Sequence, residues 1–391
     1  GARGSALSDL ESILQVDGRI GLSEDLQDFW NGWQDVANRP DDTAARNALV
    51  ERAVTLTVRV RSLASRTEGY RSSILGPGAS VPSGLVVDDI GLLNTKLSEI
   101  ADLNSRISKM QTMLEPHDLI DQRDLLVREV SDLAPVSVGL DGSLTLGGEI
   151  LVNRDGSLLS PVAITDSLLP AEFTVGGVPV AFDSGRIAGL ADACGAADDL
   201  IHTLDQFANS LLTSVNALHT SGYDLNGNAG VELFSGTDTD GDGLIDASTL
   251  MLNSVIYDEN SPNGGAAALV AAAETRYSAG PPPLANSGDG ALALQIAALA
   301  YAPLTPLDEQ TLHGYIDSAV TVLGSDVRSS FDLAGDAVAA VAMLDASIQQ
   351  DVGVNLDEEM INMMTTQRAY EAAARVMSTI DEMLNTIINK L

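Results

Sequence analysis

The sequence predicts a mainly α-helical, elongated, multi-domain protein with inserted β structure, in which both chain ends supply helices to one rod-like domain. Three observations lead there. Apolar residues recur at helical spacing from residue 6 to 134 and again from 291 to 391. Between 135 and 190 the period shortens to brief runs broken by Asp-Gly and Gly-Gly. Aromatic residues are only 4% of a chain that is 45% hydrophobic, so its cores must be built from Leu, Val, Ile, Ala and Met, a palette suited to helix-on-helix packing. With 391 residues the chain is long enough for two or three domains with real cores.

Residues 6–134 read as the N-terminal part of the rod. SEDLQDFWNGWQDVANRPDD gathers Leu26, Phe29, Trp30 and Trp33 and stops at Asn38-Arg39-Pro40. Asp41-Asp42-Thr43 then suits a helix start, where acidic side chains meet unsatisfied N–H groups. That helix runs to about Tyr70 or beyond, and Gly76-Pro77-Gly78 with Pro82-Ser83-Gly84 marks an interruption. From Leu93 the series Leu97, Ile100, Leu103, Ile107, Met110, Leu114 is coiled-coil-like. Pro116 fits the first turn of the helix that follows, HDLIDQRDLLVREVSDL.

Residues 135–190 form the β-rich domain, where APVSVGLDGSLTLGGEILVNRDGSLL and AEFTVGGVPVAFDSG have the pattern of hairpins. Residues 191–221 form a helix packing on the rod, from about Ala191 to His219, with Leu200, Leu204, Phe207, Leu211 and Val215 on one broad face. Residues 222–290, rich in Gly, Asn, Asp and Pro, read as a loop and β insertion closed by Pro281–Pro283 and Gly288-Asp289-Gly290. Residues 291–391 return to helix as the C-terminal part of the rod, apart from a turn at Val352-Gly353-Val354-Asn355. Leu103 and Ile107 on one side, and Leu333, Val338 and Leu344 on the other, are expected to share the rod core.

Charge excludes several function classes. The net charge is −34, from 55 acidic and 21 basic residues. Phosphate backbones and anionic membrane surfaces are repelled, so neither nucleic acid nor membrane is an expected partner. No apolar run reaches the length of a membrane-spanning helix. No basic, apolar, cleavable leader is present either, and the opening GARGS reads as a cloning remnant, so truncation at the N-terminus is expected. A single cysteine, Cys194 in DACGAADD, rules out an intramolecular disulfide framework and reads as a small residue near a helix start.

Nothing resembles an active site. His117, His202, His219 and His313 are scattered without metal-ligand spacing. Lys96, Lys109 and Lys390 follow no Gly-rich turn, and no GxSxG elbow occurs. Asp121 and Asp124 flank Arg123 at a spacing that makes ion pairs on a helix. One motif stands out, DTDGDGLIDAST at 238–249. Asp238, Asp240 and Asp242 take loop positions one, three and five of a calcium loop, Gly243 takes six and Asp246 nine. Thr249 stands at position twelve, where a bidentate Glu is expected, so Ca2+ would bind weakly and stiffen the loop. A solvated acidic turn is the other reading.

Several stretches in order along the chain resemble one family. They are LSEDLQDFWNGWQDVANRPDDTAARNALVERA, HDLIDQRDLLVREVSDLAPVSV, LDQFANSLLTSVNALHTSGYDLNGNAGVELFSG and GVNLDEEMINMMTTQRAYEAAARVMSTIDEMLNTII. The chain is similar to the flagellar hook-associated protein 1 (FlgK) family, the junction proteins between hook and filament, over most of its length. DLIDQRD, HTSGYDLNG and NLDEE carry the specificity. The resemblance implies a structural component of the bacterial flagellum and no enzyme. It implies extracellular localisation after export through the flagellar type III pathway. Its implied partners are the hook protein, the neighbouring junction protein, copies of itself in a ring, and a flagellar export chaperone on the C-terminal helix. Flagellin or another junction protein would share the two-ended helical plan, but the middle motifs argue against both. A calcium-stabilised secreted adhesin or a secreted hydrolase is further off, the latter lacking any catalytic constellation. The family's heptad-patterned first helix and Asn-rich segment have no counterpart here, so polymerisation of this sequence alone is expected to be impaired. The Asp-rich loop is not taken as a family feature.

The last helix is where assembly is expected. Tyr370, Met377, Ile380, Leu384, Ile387 and Leu391 fall on one stripe with no capping signal after it. Their three- and four-residue spacing is the seam of a coiled coil whose partner lies elsewhere, with the part before Tyr370 packing in the rod.

Overall fold

Helical apolar periodicity becomes helix almost wherever it occurs in this chain. The computed structural model describes residues 1–16, 19–76, 83–110, 116–158, 161–166, 172–257, 267–278, 284–352 and 356–388. The chain divides into two units, Gly1–Phe331 and Asp332–Leu391.

The first unit is mainly helical with inserted β structure. It begins with α1 (Ala2–Leu14), a short ribbon of β1 (Gln15–Val16) and β2 (Arg19–Ile20), and α2 (Gly21–Asn38). Then come α3 (Thr43–Leu75), α4 (Leu85–Met110) and α5 (His117–Leu133). The Asp42 carboxylate accepts from Ala44 N at 2.8 Å and caps α3, as the sequence predicts. Its far end stops at Gly76, whose φ of 92° is left-handed. Pro77 to Pro82, Leu114, Pro281 to Pro283 and the turn at 353–355 lie outside the described residues.

Two small antiparallel sheets follow α5. β3 (Val136–Val138), β4 (Leu144–Leu146) and β5 (Glu149–Val152) form one, with Val136 opposite Leu146 and Leu144 opposite Val152. β6 (Val162–Asp166), β7 (Glu172–Val175) and β8 (Val178–Val180) form the other, with Phe173 opposite Val180. Gly147-Gly148 and Gly176-Gly177 turn the hairpins at positive φ, the conformation that a two-residue loop needs to match strand twist.

The central helix α6 (Gly185–His219) starts six residues before the predicted Ala191. Gly185 explains this, since a Cβ there would lie 2.6 Å from the carbonyl oxygen of Leu133. Only glycine lets the chain turn that close to the end of α5. Cys194 is therefore not near a helix start but well inside α6, fully buried. The loop-rich stretch after α6 holds two ribbons, β9 (Phe234–Ser235) with β10 (Met251–Leu252) and β11 (Arg276–Ser278) with β12 (Leu284–Ala285). α7 (Ala291–Ala298) and α8 (Leu312–Val352) come next, then α9 (Leu356–Ile388).

The core of the first unit is continuous and includes Phe29, Trp30, Trp33, Leu56, Leu97, Phe207, Leu211 and Phe234, all buried. Phe29 alone touches Trp30, Trp33 and Phe234, at ring-centroid distances of 4.8, 6.2 and 5.6 Å. Few aromatics thus do concentrated work, where α2 meets the loop-rich stretch. Leu103 and Ile107 are buried as predicted, against Leu119. Leu333, Val338 and Leu344 are not core residues, being 66%, 71% and 65% exposed. They belong to the second unit, and none of its described residues buries them.

Candidate assembly surface and acidic loop

The second unit consists of the end of α8 and all of α9. The predicted stripe on α9 is bare: Tyr370, Met377, Ile380, Leu384 and Ile387 are all exposed, and Leu391 lies outside the described residues. The part before Tyr370 does not pack in a core either, since Met360, Ile361, Met363 and Met364 are exposed too. Val376, Met383 and Ile388 widen the apolar surface beyond the stripe that helical spacing alone selects. Isolated exposed apolar residues mean little, whereas a sustained apolar face is the mark of an interaction surface. Thr365, Thr366, Thr379 and Thr386 each return their hydroxyl to the carbonyl four residues earlier, so these four hydroxyls are satisfied within the helix.

In the first unit, the sequence did not disclose how the inserted segments are fastened. Single buried polar side chains on the helices do it. Asn216 on α6 donates to the carbonyl of Phe234 at 2.8 Å and accepts from the N–H groups of Leu233 and Phe234 at 2.9 and 3.0 Å. His219 donates from Nδ1 to the Val231 carbonyl and accepts at Nε2 from Ala271 N at 2.9 Å, which fixes its neutral tautomer. Burial holds its pKa down at about 4. Arg46 on α3 donates from Nε to the Pro40 carbonyl at 2.7 Å and from Nη1 to the Val270 carbonyl. Asn104 on α4 reaches the carbonyls of Gly142 and Asn153, both at 3.0 Å, and pins the first sheet. Each was an unremarkable polar residue in the sequence. Periodicity flags apolar positions, so it is blind to a buried amide or imidazole.

The Asp-rich loop folds as a set of nested turns. Asp238 accepts from Gly241 N at 2.6 Å and Gly243 N at 3.0 Å, Asp240 from Asp242 N at 3.1 Å, and Asp242 from Leu244 N at 2.7 Å. Asp246 accepts from Thr239 N at 3.1 Å and from the Thr239 hydroxyl. One carboxylate oxygen each from Asp238, Asp240 and Asp246 lies within 4.8 Å of the others. Asp242 falls outside that triple, its carboxylate 3.8 Å from His202 Nδ1. Thr249 is no surrogate for the twelfth-position ligand. Its hydroxyl accepts from Thr237 N and returns to the Thr237 and Asp246 carbonyls, closing the base of the loop. Asp205 of α6, missed from the sequence, accepts from Ala247 N at 2.6 Å just behind the loop. Burial, aided by Asp246, Asp242 and Asp240, pushes its pKa up to about 6.

The comparisons with known proteins come to one answer. Residues 7–234 match the family described as the flagellar hook-associated protein FlgK helical domain, and residues 350–391 match the flagellar basal body rod FlgEFG protein C-terminal family. The chain is 24% identical over 430 aligned positions to flagellar hook-associated protein 1 of Bacillus subtilis, covering 99% of this chain and 80% of that one. It is 29% identical to the Salmonella typhimurium protein of the same name over 59% of this chain, and spans 43% of that longer relative. In fold it is similar to the flagellar hook junction protein FlgK from Burkholderia pseudomallei, with a TM-score of 0.66, 17% identity, and coverage of 90% of this chain and 97% of the other. With a family match that takes in more than half of its length, the chain belongs to the FlgK family of flagellar hook-associated proteins, structural junction components of the bacterial flagellum.

Proposed function

We infer that this chain is a non-catalytic subunit that assembles with copies of itself into a ring between hook and filament, meeting the hook protein on one side and the neighbouring junction protein on the other. The apolar face of α9 carries the reading. Tyr370, Met377, Ile380, Leu384 and Ile387 lie exposed together along α9. Such a surface calls for a partner. Within the ring that partner is another helix in coiled-coil register. Before export through the flagellar type III pathway to the cell exterior, a dedicated chaperone covers the same face and blocks premature polymerisation.

The reactive side chains support the non-catalytic part. Burial pushes the Cys194 thiol up to about 12, so it carries no thiolate at neutral pH. His219 is locked between two backbone groups. The Asp-rich loop takes Ca2+ weakly through Asp238, Asp240 and Asp246, because each carboxylate must share its oxygens with the loop's own N–H groups.

Electron microscopy of cells deleted for this gene tests the junction directly. Hooks without filaments are expected, restored by the gene in trans. Normal filaments in the deletion strain would sink the proposal.

A further inference from the structure

Six of the chain's nine methionines, Met343, Met360, Met363, Met364, Met377 and Met383, fall in the second unit, and all six are exposed. On α9 two of them sit on a helical seam. Met363, Tyr370, Met377 and Leu384 stand seven residues apart. Thr366, Ala373, Ile380 and Ile387 fall between and after them, at the alternating three- and four-residue steps of a coiled coil. All eight are exposed. A thioether at such a position is apolar and flexible enough to fill an irregular hole in a facing helix. It is also the one apolar group on the seam that a mild two-electron oxidant makes polar.

Local surroundings separate Met363 from Met377. The side chains three and four residues from Met377 along α9 are Ala373, Ala374, Ile380 and Asp381. Three are hydrocarbon and a carboxylate accepts, so none donates a hydrogen bond to a sulfoxide oxygen. Around Met363 the corresponding residues are Glu359, Met360, Thr366 and Gln367. Thr366 already gives its hydroxyl to the Asn362 carbonyl at 2.8 Å, but the Gln367 amide can donate. A sulfoxide at Met377 therefore enters a closed seam with no partner from its own helix, and burying such a group is costly. Elsewhere the chain offers a peroxide little that bears on this face. The Cys194 thiol is buried and, pushed up to about 12, carries no thiolate to react. Met110 of α4 and Met251 of β10 are exposed, but they belong to the first unit and not to the seam.

We propose that the assembly face of α9 is oxidation-sensitive, and that conversion of Met377 to its sulfoxide by hydrogen peroxide blocks helix pairing. The sulfur lone pair attacks one peroxide oxygen, and an S–O bond forms as the O–O bond breaks. The other oxygen takes the proton and leaves as water, so sulfur gives up the two electrons that the peroxide gains. This regulation rests on the assembly reading above and acts at the same face. Free subunits present the sulfur to the oxidant, whereas paired subunits cover it. The block therefore falls on new assembly and spares what is already built.

Sedimentation of the purified full chain with hooks isolated from the deletion strain tests this, each protein being compared with its own untreated sample. Hydrogen peroxide is added until mass spectrometry shows the sulfoxide at Met377. Bound protein should then fall about tenfold or more, the size expected when a polar group is buried without a partner. Methionine sulfoxide reductases A and B together should restore it, since each reduces one epimer. Leucine keeps the size and apolarity of methionine and cannot take the oxygen. Met377→Leu should therefore retain most of its own binding after peroxide. Met363→Leu, and Met110→Leu with Met251→Leu, should lose theirs nearly as the unaltered chain does. Undiminished binding by chain oxidised at Met377, or an equal loss in Met377→Leu, would overturn the regulation and leave the assembly reading standing. Untreated chain that fails to bind hooks would overturn the assembly reading itself, and the regulation with it.

Discussion

The two units use the same residues to opposite ends. Leu, Ile and Val recur at helical spacing in α6 of the first and, with Met, in α9 of the second. In α6, Leu200, Leu204, Leu211 and Val215 are buried, on a helix that packs against α1, α3, α4, α5, α7 and the loop-rich stretch. In α9, Met377, Ile380, Leu384 and Ile387 face solvent. The difference teaches that periodicity specifies a face and leaves open what covers it. A face covered within the chain is core, and a face covered only by another molecule is an interface.

The largest effect expected from that contrast is on core aromatics. Trp33 is fully buried, so Trp33→Ala should cost about 3–5 kcal/mol in urea unfolding of the first unit. A loss under about 1 kcal/mol would break the comparison, because the first unit would then be no better packed than the second.

Acid should come next. The His219 pKa falls from 6.5 to about 4 in the folded protein, so the unfolded chain binds the proton more readily. Its contribution is fully present above pH 6.5 and is lost as pH falls toward 4, on the order of 3 kcal/mol at the limit. Asp205 works the other way. Its pKa rises from 3.8 to about 6, so its contribution is present below 3.8 and is lost as pH rises through 6. The two slopes oppose each other in the intact protein. Asp205→Asn should expose the loss on acidification, and His219→Gln should expose the loss on raising pH. Identical stability–pH profiles for the two variants would refute the assignment.

Smaller effects belong to the acidic loop and the second unit. Calcium with a Kd of about 10⁻⁴ to 10⁻³ M is expected by titration calorimetry, lost in Asp240→Ala. No heat at millimolar calcium would leave a plain acidic turn. Met377→Ala and Leu384→Ala should change the stability of the monomer by no more than about 0.5 kcal/mol. Residues 378–388 should exchange their amide hydrogens quickly in dilute monomer and slowly once the chaperone or neighbouring subunits are added. Strong protection in the monomer would make α9 core after all and erase the contrast between the units.

Element type was legible in the sequence wherever a repeat is local. Asp42 capping α3, the Gly147-Gly148 and Gly176-Gly177 turns, and the helical runs around Leu93–Ile107 all follow from dihedral preference and spacing. The early start of α6 did not, because Gly185 and Gly189 interrupt its apolar pattern and serve contacts with Leu133 and Arg3. The acidic loop was half legible. The Asp spacing drew attention to it, but Asp242 turns toward His202 and Asp205 arrives from a helix more than thirty residues earlier.

By itself the sequence determined the helical class, the hairpins, the family likeness and the stripe on the last helix, since each is written in neighbours a few residues apart. Only the tertiary structure decided which stripes are covered, and that Leu333, Val338 and Leu344 are not. It alone showed Asn104, Asn216, His219 and Arg46 pinning the inserted segments to the helices. The physical reason is one of range. A backbone conformation answers to adjacent side chains, whereas burial and a buried hydrogen bond need a partner that the chain brings in from far along its length.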